Sequence, residues 1–132
     1  MVRNLLAALA GFLLGGLVIA AVQYVNALIY PLPPGTDLHK PEDVAKMMAT
    51  IPLGALWMVE ASYAFGSLVA GFIVGKIARA RAEYLAIVVG VVYTGFNLVN
   101  LVQIPTPLWL AMLTTATFLP LTWLGARLAT RR

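Results

Sequence analysis

Four long apolar stretches, each near the roughly 20 residues needed to cross the hydrocarbon core of a bilayer, take up most of this chain. They run from about Leu5 to Tyr30, from about Ile51 to Gly75, from about Tyr84 to Ile104 and from about Leu108 to Ala126. Inside hydrocarbon each backbone N–H and C=O must find its partner within the segment, so stretches of this length fold as helices. The alternating pattern of a membrane barrel is absent. The expected fold is all-α, a single antiparallel membrane four-helix bundle occupying residues 1–132. Composition agrees: 61% of residues are hydrophobic and only 11% charged, against about a quarter charged in soluble domains. The opening Met-Val-Arg and its apolar run are longer than a signal-peptide core and are expected to be a retained first span.

Charge sets the expected topology. Arg3 precedes the first span, Lys76, Arg79 and Arg81 lie between the second and third, and Arg127, Arg131 and Arg132 follow the fourth. Only Lys40 and Lys46 fall elsewhere. Basic residues near span ends are held on the cytoplasmic side, so both termini are expected there, in a bacterial inner membrane. The net charge of +4 is then a topology signal with weak attraction to anionic lipid headgroups, and nucleic acid is not an expected partner.

The outer loop 31–50 opens Pro31-Leu-Pro-Pro-Gly-Thr-Asp37, which cannot continue a helix. Pro41, Glu42 and Asp43 then suit a first helical turn, predicting a short surface helix from about Pro41 to Ala49, with Met47 and Met48 on the membrane surface. His39, Glu42 and Asp43 are metal-capable, but Pro41 interrupts them and no fourth ligand follows, so no metal is expected. With no Cys in the chain, disulfides and thiolate sites are excluded. The Ile104-Pro-Thr-Pro107 turn makes the third and fourth spans antiparallel neighbours, and the inner loop does the same for the second and third.

Helices in lipid associate through small residues and hydrogen bonds. Ala7, Gly11 and Gly15 lie four apart on the first span, Ser67, Gly71 and Gly75 on the second, and Ala86 and Gly90 on the third. All fall in the cytoplasmic half. Polar residues fall in the outer half: Glu60, Tyr63, Tyr93, Asn97, Asn100, Asn26, Gln23, Thr114 and Thr117, with Tyr93, Asn97 and Asn100 sharing one face of the third span. Glu60 is the ionisable group within a span and so a functional candidate. Its bland alternative is a neutral polar clasp to Asn97, Asn100 or Tyr63. Shifting the first span 74 positions along the chain aligns Gly16 with Gly90, Gln23 with Asn97, Asn26 with Asn100 and Pro31 with Pro105, a trace of parallel duplication.

Asn4 with Gly11 and Gly15, the Pro31 to Asp37 stretch, Gly66-Ser67 with Gly71, Asn100, Pro105-Thr-Pro-Leu-Trp109, and Pro120 with Trp123-Leu-Gly125 together resemble a group of small bacterial four-helix membrane proteins that are uncharacterised. The resemblance implies a fold and no activity. The opening MVRNLLAALAGFLLGG is also similar to the small fluoride-channel family, from which the inside-positive bias and long charged loop depart.

Two functional readings follow. The first is a non-enzymatic subunit or assembly partner of a larger membrane complex or of itself, without cofactor, resting on the small-residue faces. The second is a small oligomeric transporter or channel with an outward polar pocket centred on Glu60. No nucleophile, base and orienting group converge by spacing, so catalytic residues are not expected. Because the chain lacks Cys, the topology is directly testable by single substitution. A membrane-impermeant maleimide should label His39→Cys and not Thr130→Cys in intact cells; the reverse pattern would invert the orientation.

Overall fold

The computed structural model describes residues 2–31, 35, 37, 39–78, 81–103 and 106–130, with the side chains of Met48 and Ala49 left aside. The proline stretch at 32–34, the turn at 104–105, Arg79, Arg131, Arg132 and the Met48 side chain therefore lie outside the described residues. The chain is all-α: α1 (Val2–Ile29), α2 (Pro41–Thr50), α3 (Leu53–Ile77), α4 (Ala82–Gln103) and α5 (Leu108–Thr130). Four of these, all but α2, are long and apolar enough to cross a membrane.

The ends have local causes. Pro52 stands immediately before α3 in extended backbone, where a missing N–H costs a helix nothing. Pro41 opens α2, with Glu42 and Asp43 in its first turn. The last span is expected to stop near Ala126 but runs on to Thr130, because neither glycine nor proline follows to end it. Pro120 sits inside α5 on its exposed side, where it removes one hydrogen bond of the helix without ending it. Trp57 and Trp109 meet at 5.3 Å near the α2 end of the bundle. Trp123 donates to Glu83 at 3.1 Å and underlies Arg127 near the other. Aromatic groups at both levels are what two membrane interfaces favour.

The packing order departs from chain order. α3 packs most extensively against α1 and α5, α5 also packs against α4, and α4 touches α3 and α1 only over short stretches. α3 and α4 are neighbours, as the short loop between them implies, but their contact is much less extensive than that of α3 with α1 or α5. The cause lies in α3, whose consecutive small residues face two partners. Gly66 and Ala70 approach α1, where a Cβ on Gly11 would stand 2.7 Å from the Ala70 carbonyl and one on Gly15 2.7 Å from that of Gly66. Gly71 and Gly75 approach α5, where a Cβ on Gly75 would stand 2.7 Å from the Ala126 carbonyl. Ser67 on this face is fully buried. Gly90 of α4 makes room for Thr122 of α5, and Gly125 of α5 abuts the Leu68 carbonyl.

These contacts sit toward the end that carries the N-terminus and the α3–α4 connection, called here the terminal end. Arg3 ties that end together by donating to the Ile77 carbonyl at 2.6 Å. Substituting Gly71 by Leu should lower the unfolding midpoint in detergent, by an overpacking cost of about 1–3 kcal/mol. Gly95→Ala, where a Cβ meets nothing within 4 Å, should unfold no earlier than the unmodified chain.

Candidate functional site

At the α2 end the helices separate. Two adjoining cavities of about 280 and 330 Å³ open there, each near the lower limit of small-molecule pockets, about 300–1,000 Å³. The first is lined by Gln23 of α1, Tyr63 of α3, Asn97 and Asn100 of α4, Thr114 of α5 and Met47 of α2, among apolar neighbours. The second lies between α1 and α4, with Tyr63 and Phe118 at its back. Gln23, Tyr63, Asn97 and Asn100 line both, so the two form one space with a polar junction.

Two of these polar side chains are placed by hydrogen bonds to a neighbouring helix. Gln23 Nε2 donates to Ser62 Oγ at 3.3 Å, and Asn97 Nδ2 donates to Thr114 Oγ1 at 3.2 Å and Thr115 Oγ1 at 3.3 Å. Those threonine hydroxyls donate in turn to the Ala111 carbonyl. Asn97 is buried, whereas Asn100, one turn on, is exposed. Asn26 donates to the Ala55 carbonyl at 3.1 Å and faces neither cavity among the described linings.

Below the junction a layer of rings crosses the bundle. Tyr63 meets Phe118 at 5.1 Å, Tyr93 meets Phe118 at 5.7 Å, and Phe12 stacks on Tyr93 at 5.3 Å. Tyr93 Oη donates to the Phe12 carbonyl at 2.6 Å, closing α4 against α1. Gly15 creates the space, since a Cβ there would stand 2.5 Å from that hydroxyl. Beneath lies the tight core of Ala70, Val74, Ala86, Val89 and Ala126. The cavity is therefore blind toward the terminal end.

Glu60 is placed differently from its expected role as the centre of this pocket. It lies in neither described lining. One carboxyl oxygen accepts from Thr117 of α5, and the other is buried without a partner among the described residues. Its hydrogen-bond partner among the described residues is Thr117 rather than Asn97, Asn100 or Tyr63. The physical reason is the α3–α5 approach: α3 presents Glu60 and Ser67, seven residues apart, to α5, whereas Leu56, Val59 and Tyr63 turn to the cavity. Met47 also differs from expectation, being half-buried over the first cavity rather than spread on the membrane surface. In the same loop Asp43 accepts the Asp37 backbone N–H at 2.9 Å, so that carboxylate orders the loop.

The duplication trace holds in one pair and not in another. Gln23 and Asn97 each bond a hydroxyl on the next long helix in the chain. Gly16 faces open space, whereas Gly90 is pressed against Thr122 and Leu119. Spacing alone had no means of telling Gly16, which opens a cavity, from Gly15, which closes one.

Fold and site together define a multi-pass membrane protein with a blind cavity, lined by uncharged polar groups, at one end of its bundle. Compared with known family models, curated proteins and solved structures, the chain matches none, and the resemblance drawn above rests on its quoted residues alone.

If Thr117 and Glu60 are coupled as placed, Thr117→Val and Glu60→Gln should be non-additive. Unfolding of the two single variants and the double variant in detergent should give a coupling of about 0.5–1.5 kcal/mol, the range for hydrogen bonds between membrane helices. Strict additivity would separate the two groups.

Proposed function

We propose that this chain is a non-enzymatic, inner-membrane binding protein or carrier for a small uncharged molecule held in the cavity at its α2 end, which faces outward. The observation that carries this reading is the uncharged junction of Gln23, Tyr63, Asn97 and Asn100, open on one side and floored by rings on the other. A charged solute brought into such a lining would lose water without gaining a counter-charge, at a cost of several kcal/mol. An uncharged one exchanges its hydration for carboxamide and hydroxyl contacts.

The reading as a subunit that docks on a larger complex loses its main support. The stripes of small residues that suggested it, Gly11 and Gly15, Ser67, Gly71 and Gly75, and Gly90, are buried within the chain's own interfaces. The ring layer also disfavours a simple channel, because it leaves no continuous path between the two ends. Transport through this bundle requires that layer to move, as in a carrier that exposes its site to one side at a time.

A thermal-shift screen of neutral hydroxylated and amide compounds on the detergent-purified protein tests the reading, since a ligand that binds only the folded state raises its unfolding temperature. An active compound should stabilise the wild type and Glu60→Gln alike. It should bind Asn100→Leu about five- to tenfold more weakly, the loss of about one hydrogen bond. Stabilisation by charged compounds alone, or its disappearance in Glu60→Gln, would overturn the proposal.

A further inference from the structure

Resting on that reading, we infer that the bound molecule is a single-chain lipid with a neutral, hydroxyl-bearing head, and that it enters sideways from the bilayer between α1 and α4. The seam between these helices is closed at one level and open at the next. At Gly15 the Tyr93 hydroxyl and the Phe12 carbonyl hold α4 against α1. One residue further, a Cβ on Gly16 would meet nothing within 4 Å, and from there the second cavity runs outward. Ala20, Phe96 and Asn100 at its rim are exposed. In a spanning helix pair such a rim faces lipid.

The two chemistries of a lipid are separated along this seam in the right order. Gly16, Ile19, Ala20, Phe96 and Phe118 give the deeper part an apolar wall, and Gln23, Asn97 and Asn100 lie toward the α2 end. From Gly16 to Gln23 is about 10 Å along α1. A lipid in the leaflet at the α2 end has the same polarity, its head at the surface and its chain toward the bilayer centre. Head and tail therefore slide in without turning over. A single groove accommodates one chain.

The head is specified by what the junction offers. Neither described lining carries a charged side chain, which disfavours a phosphate or ammonium head. Asn97 directs its amide toward two threonine hydroxyls, and those hydroxyls direct their protons to the Ala111 carbonyl. What Asn97 has left is its carbonyl oxygen, an acceptor, which calls for a ligand that donates. Hydroxyl groups on a neutral head meet that demand, whereas an ester or ether head alone does not.

Equilibrium binding of radiolabelled 1-monooleoylglycerol to the protein in phosphatidylethanolamine–phosphatidylglycerol nanodiscs tests this. Expected is saturable binding at one per chain, with competition by oleoyl lysophosphatidic acid and by methyl oleate weaker by about tenfold or more, since the first adds an unpaired charge and the second removes the donors. Gly16→Phe should weaken monooleoylglycerol binding by about tenfold or more through overpacking of the groove. Gly16→Ala, which adds one methyl in open space, should bind as wild type and shows that the position tolerates substitution. Unchanged binding in Gly16→Phe, or equal binding of the charged lipid, overturns the inference. So does a native dimer that Gly16→Phe dissociates and that binds no lipid, which assigns the seam to a second copy. If Gly16→Phe abolishes lipid binding but small hydroxylated compounds still stabilise it, both readings stand. If Asn100→Leu changes neither, the cavity reading falls with the lipid.

Discussion

The structure depends on how closely α3 approaches two other helices at once. Lipid gives no hydrophobic reward for helix association, so contact area and hydrogen bonding must supply it. Along α3 the pairs Gly66-Ser67 and Ala70-Gly71 put a small residue on each of two adjacent faces, and one turn on Gly75 continues the α5 face while Val74 packs on the α1 face. One face receives Gly11 and Gly15 of α1, the other Thr122, Gly125 and Ala126 of α5. A large side chain at either face would separate the backbones and remove many weak dispersion contacts together. α4 buries the small residues Ala82, Ala86 and Gly90 and is held mainly by α5.

That uneven grip explains the shape of the site. Where α3 carries small residues the helices touch through their backbones. Toward its start it carries Leu56, Val59, Glu60 and Tyr63 instead, and the spacing widens. α4, the least firmly held helix, is pinned to α1 by the Tyr93 hydroxyl at a single level. Past that level the rings of Phe12 and Phe96, 6.0 Å apart, still meet across the seam, and the second cavity opens beside them. The cavity is thus what remains when tight packing stops partway along the bundle, and its walls are the polar groups that close packing would have left without room.

The four spans and the surface helix were legible in the sequence because length and apolarity decide them, and so was the division into a small-residue half and a polar half. Which residues meet was less legible. Helical spacing correctly placed Tyr93, Asn97 and Asn100 on one face, but it could not say whether Glu60 turned toward that face or toward α5. That choice is set by the close approach of Gly71 and Gly75 to α5, which turns their face of α3 to that helix. The extent of the contact between α3 and α4 was not legible either: a short loop fixes which ends are near, and packing chemistry fixes which flanks touch. Met47 follows the same lesson, since an amphipathic loop helix has an apolar face whether it lies on lipid or over a cavity.

The bundle also carries an imbalance that packing does not explain. Among the described residues Asn26 Oδ1, one oxygen of Glu60 and Ser67 Oγ are buried without partners, and Asn97 has directed its amide to two hydroxyls of α5. Most of these orphans are acceptors. Buried acceptors without donors are costly in any protein and more so where no bulk water reaches. A bundle selected for stability alone would replace them with apolar residues of similar size, as buried polar groups elsewhere can be replaced at little loss. None of the three lines the cavity, since Asn26 and Glu60 lie outside both described linings and Ser67 is packed between α3 and α5; what the cavity itself presents is the Asn97 carbonyl and the Asn100 carboxamide, groups that can accept from a donor. Water donates to such groups. A ligand with hydroxyl groups does so while filling the apolar seam beneath.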